Sequence, residues 1–586
     1  MTGFNELMTN AVLGINFHAH DSSAALMVDG RVAFAAAEER FTRVKKDKSF
    51  PRFAIQAALD HAGVRFADLD AIAFGWNRPG LGPAHTIRQS LLGRLPRTHG
   101  WTRAQLYHLA SELRHRGGVA DLVERFGPVP GDRFAFVDHH DAHAWSAYAL
   151  SGFDDALVLV VDGWGAWQST TVYHAQGADM RRVRAIAYPN SLGVFYESFT
   201  DLLGFERNND EWKVMGLAAY GQPTHDLSEF LRVTPTGYVA DGRRLSGRGY
   251  GDLSYLTARF GPRRDPETSI SADDRNLAAS VQQATEEAMF ALVSEGVRLT
   301  GSRSLCLAGG VAMNSKANGK VLASGLVDRI FIQPAATDDG TAVGAALAAY
   351  RMLGRDVPRY ELEDVYLGPG FTEAQVEQAI SAYKLPAVHV SDVASVTAGL
   401  LAAGHIVGWF QGRMEFGPRA LGARSILADP RDPAMKDRVN ECIKFREGWR
   451  PFAPSCLAER ADEFFRPAHE SPYMILTFDV RPEKRDVIPA VTHADNSARV
   501  QTVRRDVNPR YWELISAFAR LTGVPVLMNT SFNLRGEPIV CTPRDAVRTF
   551  YSSGMDFLVL GDHVIAKNPA LQALLTRELE PAAAGA

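Results

Sequence analysis

The sequence predicts an α/β protein of two units, and three observations carry that prediction. Strand–turn–strand stretches rich in small and β-branched apolar residues open at Ala11 and at Ala156, and helical stretches follow each. A stretch with Pro358, Pro369 and several glycines but no helical period runs from 352 to 372. After it a new pattern of apolar runs and helical stretches begins and continues to about 568. The expected division is a first domain over 1–355, a linker over 356–372 and a second domain over 373–586.

The elements follow in order. AVLGINF (11–17) is apolar, HAHDSS is a polar turn, and AALMVDGRVAFAAA alternates around Asp29-Gly30, a hairpin signal. ALVLVVDGWG from Ala156, then STTVYHA, repeats the scheme. Leu305–Leu307 and Ile330–Ile332 are further short strands, each followed by a Gly or Pro turn, and Asn276–Thr300 has apolar positions near helical spacing. The two units differ in sequence, so the duplication they suggest is structural. Beyond the linker, a helix is expected near 373–384 and strands near Val388–Val390 and Ile406–Phe410, followed by a strongly polar stretch, Gln411–Pro454.

Composition excludes several classes. A 586-residue chain with 46% hydrophobic residues is neither disordered nor collagen-like. A formal net charge of −4 argues against a dedicated nucleic-acid binder. The four cysteines (Cys306, Cys442, Cys456, Cys541) form no CxxC pair, so neither a disulfide framework nor a cysteine zinc site is indicated, and a reducing, cytoplasmic location is expected. Met1–Asn10 lacks the basic start and apolar core of a signal peptide. Apolar runs such as Ala156–Val161 fall far short of the ~20 residues that span a bilayer, so no membrane partner is expected.

Five constellations carry chemistry. In DHHDAHA (138–144), His139 and His143 are four apart and would share one helix face, as two imidazoles on one metal must, while His140 points elsewhere. Asp162 ends an apolar run before Gly163-Trp164-Gly165, and Asp338 and Asp339 follow FIQPAAT; acids at such strand ends are where open α/β sheets keep their sites. Two His with one or two Asp suit Fe²⁺, Mn²⁺ or Zn²⁺. Gly309-Gly310, directly after a strand and before Asn314, lets backbone approach a ligand. His20 is a candidate base or hydrogen-bond donor, and one lysine of the run Glu38–Lys48 could face a phosphate. In Gly412–Pro454, Arg419, Arg424, Lys444 and Arg450 sit beside Gly and Pro in turns that suit phosphate or carboxylate recognition, or pair with the interleaved acids. Asn529 and Ser531 end the apolar run VPVLM, where small polar side chains can hold phosphate oxygens.

Together these stretches resemble the NodU/CmcH family of O-carbamoyltransferases, which includes antibiotic-tailoring enzymes. HDSSAALMVDGRV, AAEERFTRVKKD, VDHHDAHAWSAY, VVDGWG, WKVMGLAAYG, LAGGVAMN, PAATDDG, GRMEFGPRALGARSIL, REGWRPFAPS and LMNTSFNLRGEPIV occur in family order over nearly the whole chain. The resemblance implies an N-terminal domain of the actin-like ATPase fold, similar to the tRNA-modifying enzyme TsaD, and a YrdC-like C-terminal domain. It implies that the C-terminal domain forms carbamoyl adenylate from carbamoyl phosphate and ATP with Mg²⁺. The N-terminal domain would then transfer the carbamoyl group to a hydroxyl of a natural product, a sugar or a polyketide.

By the same resemblance His139, His143, Asp162 and Asp338 would ligate a divalent metal, Fe²⁺ first. Lys45 matches the family's lysine, and His20 would take the acceptor proton or stabilise an oxyanion. Gly309, Gly310 and Asn314, with the Gly163 turn, would line the nucleotide. Arg419, Lys444, Arg450 and Arg499, with Arg424, would hold phosphates, and Asn529 and Ser531 would complete that site. Gly80–Asp132 carries none of the motifs; it, WNRPG (76–80) and FERNNDEW (205–212) are where acceptor specificity is expected. A homodimer is compatible with all of this. A tRNA threonylcarbamoyl-type enzyme is the alternative; it calls for a basic RNA surface, and the net charge opposes it.

Overall fold

The computed structural model describes residues 10–17, 20–76, 118–165, 167–246, 251–357 and 359–583, the side chains to 576. Most of the motif-poor segment and of WNRPG therefore lies outside the described residues. The chain divides into two units: residues to Thr42 together with Lys46–Leu362, and Arg43–Lys45 together with Glu363–Ala586.

The first unit is built from two five-stranded sheets. One runs β3(Arg31–Ala37)-β2(Ser23–Val28)-β1(Ala11–Asn16)-β4(Ala71–Phe74)-β5(Phe134–Phe136). The other runs β8(Asp179–Ala187)-β7(Gln168–Gln176)-β6(Asp155–Gly165)-β11(Ser304–Ala308)-β12(Arg329–Ile332). In each, three antiparallel strands are extended by two parallel ones, so the strand order is the same twice. The duplication expected from sequence is thus one of topology, the form that the resemblance to the actin-like fold implies. A small hairpin, β9(Leu231–Thr234) and β10(Gly237–Ala240), stands apart from both sheets.

Local chemistry explains the elements. Every residue of β1 is buried, which is why it reads as a continuous apolar run rather than an alternation. Asp29 (φ 48°) and Gly30 (φ 83°) both take left-handed backbone, the requirement of a two-residue hairpin turn. The helix Ala272–Thr300 starts on a reciprocal Ser271–Asp274 capping box and stops at Gly301 in left-handed conformation. The helix His139–Tyr148 is buried on every face except at Asp141, and Asp138 caps it by accepting the His140 and Asp141 amides at 3.1 and 3.3 Å.

Backbone contact sets how closely that helix approaches its neighbours. A Cβ on Gly344, in the helix Thr341–Met352, would stand 1.7 Å from the Ala142 carbonyl oxygen, and one on Gly14 of β1 would stand 1.9 Å from that of Ala342. The helix Thr341–Met352 is therefore pressed between β1 on one side and the helix His139–Tyr148 on the other.

The second unit holds an eight-stranded mixed sheet, β13(Ala387–His389)-β23(His563–Ala566)-β22(Phe557–Leu560)-β14(Val407–Phe410)-β15(Arg424–Ala428)-β21(Val526–Ser531)-β16(Ala453–Leu457)-β20(Gln501–Val503). A three-stranded sheet, β17(Phe465–Arg466)-β18(Thr477–Val480)-β19(Ser497–Arg499), completes it. The helix expected near 373–384 is Glu373–Ala382. The polar stretch after β14 is folded rather than loop throughout: it contains β15 and the helix Met435–Val439.

Gly344→Ala should separate the two packed helices and destabilise the first unit by about 3 kcal/mol, the scale of overpacking in a close-packed interior. A lower thermal midpoint is the expected readout; an unchanged midpoint would show that the helices part without cost.

Candidate functional sites

Four side chains from three separate stretches meet in the first unit. His139 and His143 share one face of the helix His139–Tyr148, and their Nε2 atoms are 3.2 Å apart. His139 Nε2 lies 3.4 Å from Asp162 Oδ2 and 3.5 Å from Asp338 Oδ1, and His143 Nε2 lies 3.9 and 3.6 Å from the same atoms. The four donor atoms all fall within 4.8 Å of one another, and all four residues are buried. Two imidazole nitrogens facing each other at this distance cannot both be unprotonated and unoccupied without lone-pair repulsion. Metal–nitrogen bonds of about 2.0–2.1 Å place neighbouring ligands at such separations.

The supports fix each ligand. His139 Nδ1 donates to the Gly75 carbonyl at 3.1 Å, which leaves Nε2 as the lone-pair nitrogen. The Trp76 ring stacks on His139 at 4.0 Å, and Trp76 Nε1 donates to Asn16 Oδ1 at 3.1 Å. Gly165 clears the space behind, since a Cβ there would stand 2.6 Å from His139 Cδ2. Asp162 sits where the pairing of β6 with β7 shifts register, a bulge that re-aims its side chain. The Gly310 amide donates to Asp162 Oδ1 at 3.1 Å, leaving Oδ2 to face the histidines. Asp338 opens the turn that leads into the helix Thr341–Met352, whose Thr341 hydroxyl donates to the Asp338 carbonyl at 2.6 Å. His140 turns away, its Nδ1 2.7 Å from Thr171 Oγ1.

The electrostatics complement a cation. Burial pulls the His139 pKa down, but Asp338 and Asp162 outweigh it and raise the value to about 10. Against the opposing effect of burial, the imidazoles hold both carboxyls below their ordinary values, Asp338 well below. Two carboxylates with two neutral imidazoles carry the charge a divalent ion cancels, and buried charges survive when paired or coordinated. The residues therefore fit a divalent metal.

Beside this cluster, His20 Nδ1 lies 2.9 Å from Asp21 Oδ2 and 3.9 Å from Asp338 Oδ2. Burial lowers its pKa, but the two acids prevail and raise it to about 9. Lys45 belongs to the short stretch Arg43–Lys45 that groups with the second unit. Lys46 also faces these acids: burial opposes its ammonium, and Asp21, Glu211 and Asp338 outweigh it.

The glycine turns have structural duties. Gly309 (φ 90°) lies against β6, where a Cβ would stand 2.4 Å from the Val161 carbonyl oxygen. The Gly163 carbonyl accepts from Ser191 Oγ at 2.6 Å. Asn314 caps the helix Ser315–Ala323 through the Ala317 amide at 3.0 Å and exchanges two 3.0 Å hydrogen bonds with the Gln282 amide.

The second unit collects cations instead. Burial, with Arg499 beside it, holds Arg419 well below the usual guanidinium range, and burial brings Arg499 down to about 10. The Nε atoms of both are buried without a hydrogen-bond partner among the described residues. Arg446, which the sequence reading passed over, is pushed down to about 8 by burial and by Arg450. Burial, then Arg446 and Arg450, push Lys444 well below its ordinary value. Lys444 Nζ donates to the Asn533 carbonyl at 3.0 Å, to Asn533 Oδ1 at 2.9 Å and to the Ser531 carbonyl at 2.5 Å, so Ser531 serves as its seat. Arg450 Nη1 stands 3.6 Å from Glu447.

One expected phosphate ligand, Arg424, proves structural, and the amide nitrogen of another, Asn529, is already engaged. All the N–H groups of Arg424 go to backbone carbonyls, those of Gln411, Gly412, Ala423, Pro369 and Cys541. Its guanidinium also lies 3.6 Å over the Phe410 ring, so it is a rivet with no donor left for an anion. Asn529 Nδ2 is committed to the Ala420 carbonyl at 3.1 Å, Ser455 Oγ at 2.9 Å and Gln501 Oε1 at 3.2 Å.

Replacing His139 or Asp338 by Ala should empty the first site. The unsubstituted chain should retain about one divalent ion after dialysis and each variant none, read by elemental analysis. A metal-replete His139→Ala protein would refute the ligand set.

Comparison with known proteins bears on both units. Residues 11–81 and 129–347 match the family model described as carbamoyltransferase N-terminus, and 398–567 match the carbamoyltransferase C-terminus. Nodulation protein NolNO of Sinorhizobium fredii is 40% identical, covering 97% of this chain and 82% of its own. Nodulation protein NolO of Bradyrhizobium diazoefficiens is 43% identical over 74% of this chain and 79% of its own. Uncharacterized protein sll1178 of Synechocystis sp. is 40% identical, covering 95% of this chain and 96% of its own. The metal-fitting cluster falls within the first matched region and the cation cluster within the second, and on this agreement the chain belongs to the carbamoyltransferase family and is a carbamoyl-transferring enzyme.

Proposed function

We propose that the chain is an ATP-dependent O-carbamoyltransferase working in two half-reactions. In the second unit, water takes the phosphoryl group of carbamoyl phosphate as inorganic phosphate, and the carbamate oxygen so released attacks the α-phosphorus of ATP with Mg²⁺, giving carbamoyl adenylate as pyrophosphate leaves. In the first unit, a hydroxyl of a natural product such as a sugar or polyketide attacks the carbamoyl carbon, and AMP leaves. The observation that carries this reading is the cation cluster. Arg419 and Arg499 each hold a buried Nε without a hydrogen-bond partner among the described residues, and with Arg446 they are held below their ordinary values by burial, a state that polyphosphate oxygens relieve.

The first unit supplies the other half. His139, His143, Asp162 and Asp338 would hold the divalent ion, Fe²⁺ or another, which when bound supplies Lewis-acid stabilisation to phosphate oxygens. His20, between Asp21 and Asp338, would take the acceptor proton or stabilise the developing oxyanion, and its raised pKa favours the second role. A carbamoyl group is a poor electrophile, and adenylation provides the leaving group it lacks. Among the described residues no helix is long and apolar enough to cross a membrane.

Purified protein should release pyrophosphate from ATP only when carbamoyl phosphate is present. Arg419→Ala should stop that release, by about 100-fold or more, and spare transfer from supplied carbamoyl adenylate. Survival of both half-reactions in Arg419→Ala would refute the two-site scheme.

A further inference from the structure

The turn that carries Arg419 is built on a buried carboxylate. We propose that Glu415 is a positioning residue of the anion site, holding the turn 416–424 so that Arg419 meets the donor phosphate. The proposal rests on the reading of the cation cluster given above.

Glu415 is 3% exposed. One of its oxygens, Oε1, accepts the amides of Leu421 and Ala423 at 2.7 Å each and that of Arg424 at 3.2 Å. The carbonyls of the same turn are held from the other side. Asn529 Nδ2 donates to Ala420 at 3.1 Å, Tyr366 Oη and Gln501 Nε2 donate to Leu421 at 2.8 Å each, and Trp409 Nε1 donates to Gly422 at 3.0 Å. Gly422 has no room to yield, with φ at 100° and a Cβ position 2.3 Å from the Tyr511 ring. The backbone on the C-terminal side of Arg419 is therefore fixed, while its guanidinium Nε is left buried and without a partner among the described residues. Preorganised donors of this kind lose no free energy to reorganisation when the anion arrives.

The two oxygens of Glu415 are not equivalent. Oε2 is buried and has no hydrogen-bond partner among the described residues. The carboxylate holds the turn through both the reach and the charge of Oε1: a neutral amide of the same length keeps the reach, accepts the three amides more weakly and puts an NH2 group in the buried place of Oε2. A carboxylate one methylene shorter keeps the charge and withdraws the oxygen by about 1.5 Å.

The test compares Glu415→Asp, Glu415→Gln and Arg419→Ala in the full chain, measuring carbamoyl-phosphate-dependent pyrophosphate release and, separately, transfer from supplied carbamoyl adenylate. Glu415→Asp should raise KM for carbamoyl phosphate by at least about tenfold, Glu415→Gln by at least about threefold, and both should keep the transfer step. A merely structural role would lower the active fraction, and so the apparent kcat, without moving KM. A folded Glu415→Asp with unchanged KM overturns the proposal. If that variant fails to fold, Glu415→Gln decides: a KM raised about threefold or more with the transfer step kept supports the proposal, and an unchanged KM overturns it. Unchanged pyrophosphate release by Arg419→Ala overturns the reading of the cluster itself, whatever the Glu415 variants do.

Discussion

The approach of bare backbone to bare backbone at Gly14 and Gly344 governs the first unit. A side-chain carbon at either position would collide with a carbonyl oxygen at less than 2 Å. Their absence lets the helix Thr341–Met352 press against β1 and against the helix His139–Tyr148. Those two helices deliver Asp338 and the paired histidines. Ligand distances tolerate only about ±0.2 Å, so the quality of the metal-fitting cluster is inherited from backbone packing many residues away. Gly75 and Gly165 extend the same logic to the immediate surroundings of His139, one lending a carbonyl and the other lending space.

The two units solve opposite electrostatic problems. In the first, acids and imidazoles crowd together and compensate one another, and the sum suits a cation. In the second, guanidinium groups and an ammonium crowd together with Glu447 beside Arg450, and the sum suits an anion. The two half-reactions proposed above would each draw on one of these environments. Housing them in separate folds lets each be stabilised without neutralising the other.

Much of the first site was legible in the sequence. His139 and His143 showed helical spacing, Asp162 ended an apolar run, and Asp338 preceded a glycine, which are signals local to a few residues. The doubled sheet was legible as two strand–turn–strand runs, and the matching strand order came from the pairing. The place of Lys46 near Asp21 and Asp338 was not legible within the run Glu38–Lys48, because Arg43 and Lys46 adopt left-handed backbone (φ 61° and 53°) and spacing alone does not say where neighbouring side chains then point. Arg424 was misread because an arginine beside glycine looks the same whether it binds a ligand or its own backbone; complete burial decides, and burial is a tertiary property. The partners of Asn529 and Lys444 likewise lie far along the chain, at Ala420, Ser455 and Gln501 and at Ser531 and Asn533.

The metal-fitting cluster also has a mechanical side. His139 and His143 follow the last strand of the first repeat, Asp162 lies on the opening strand of the second, and Asp338 follows the second repeat's last strand. An ion held by all four would tie the ends of both repeats to one point. Any hinge-like parting of the two sheets would have to stretch metal–ligand bonds, so the ion's affinity and the stiffness of the cleft between the sheets become one thermodynamic quantity. Tighter binding would mean a narrower range of openings, and a wider cleft would mean a weaker hold on the ion.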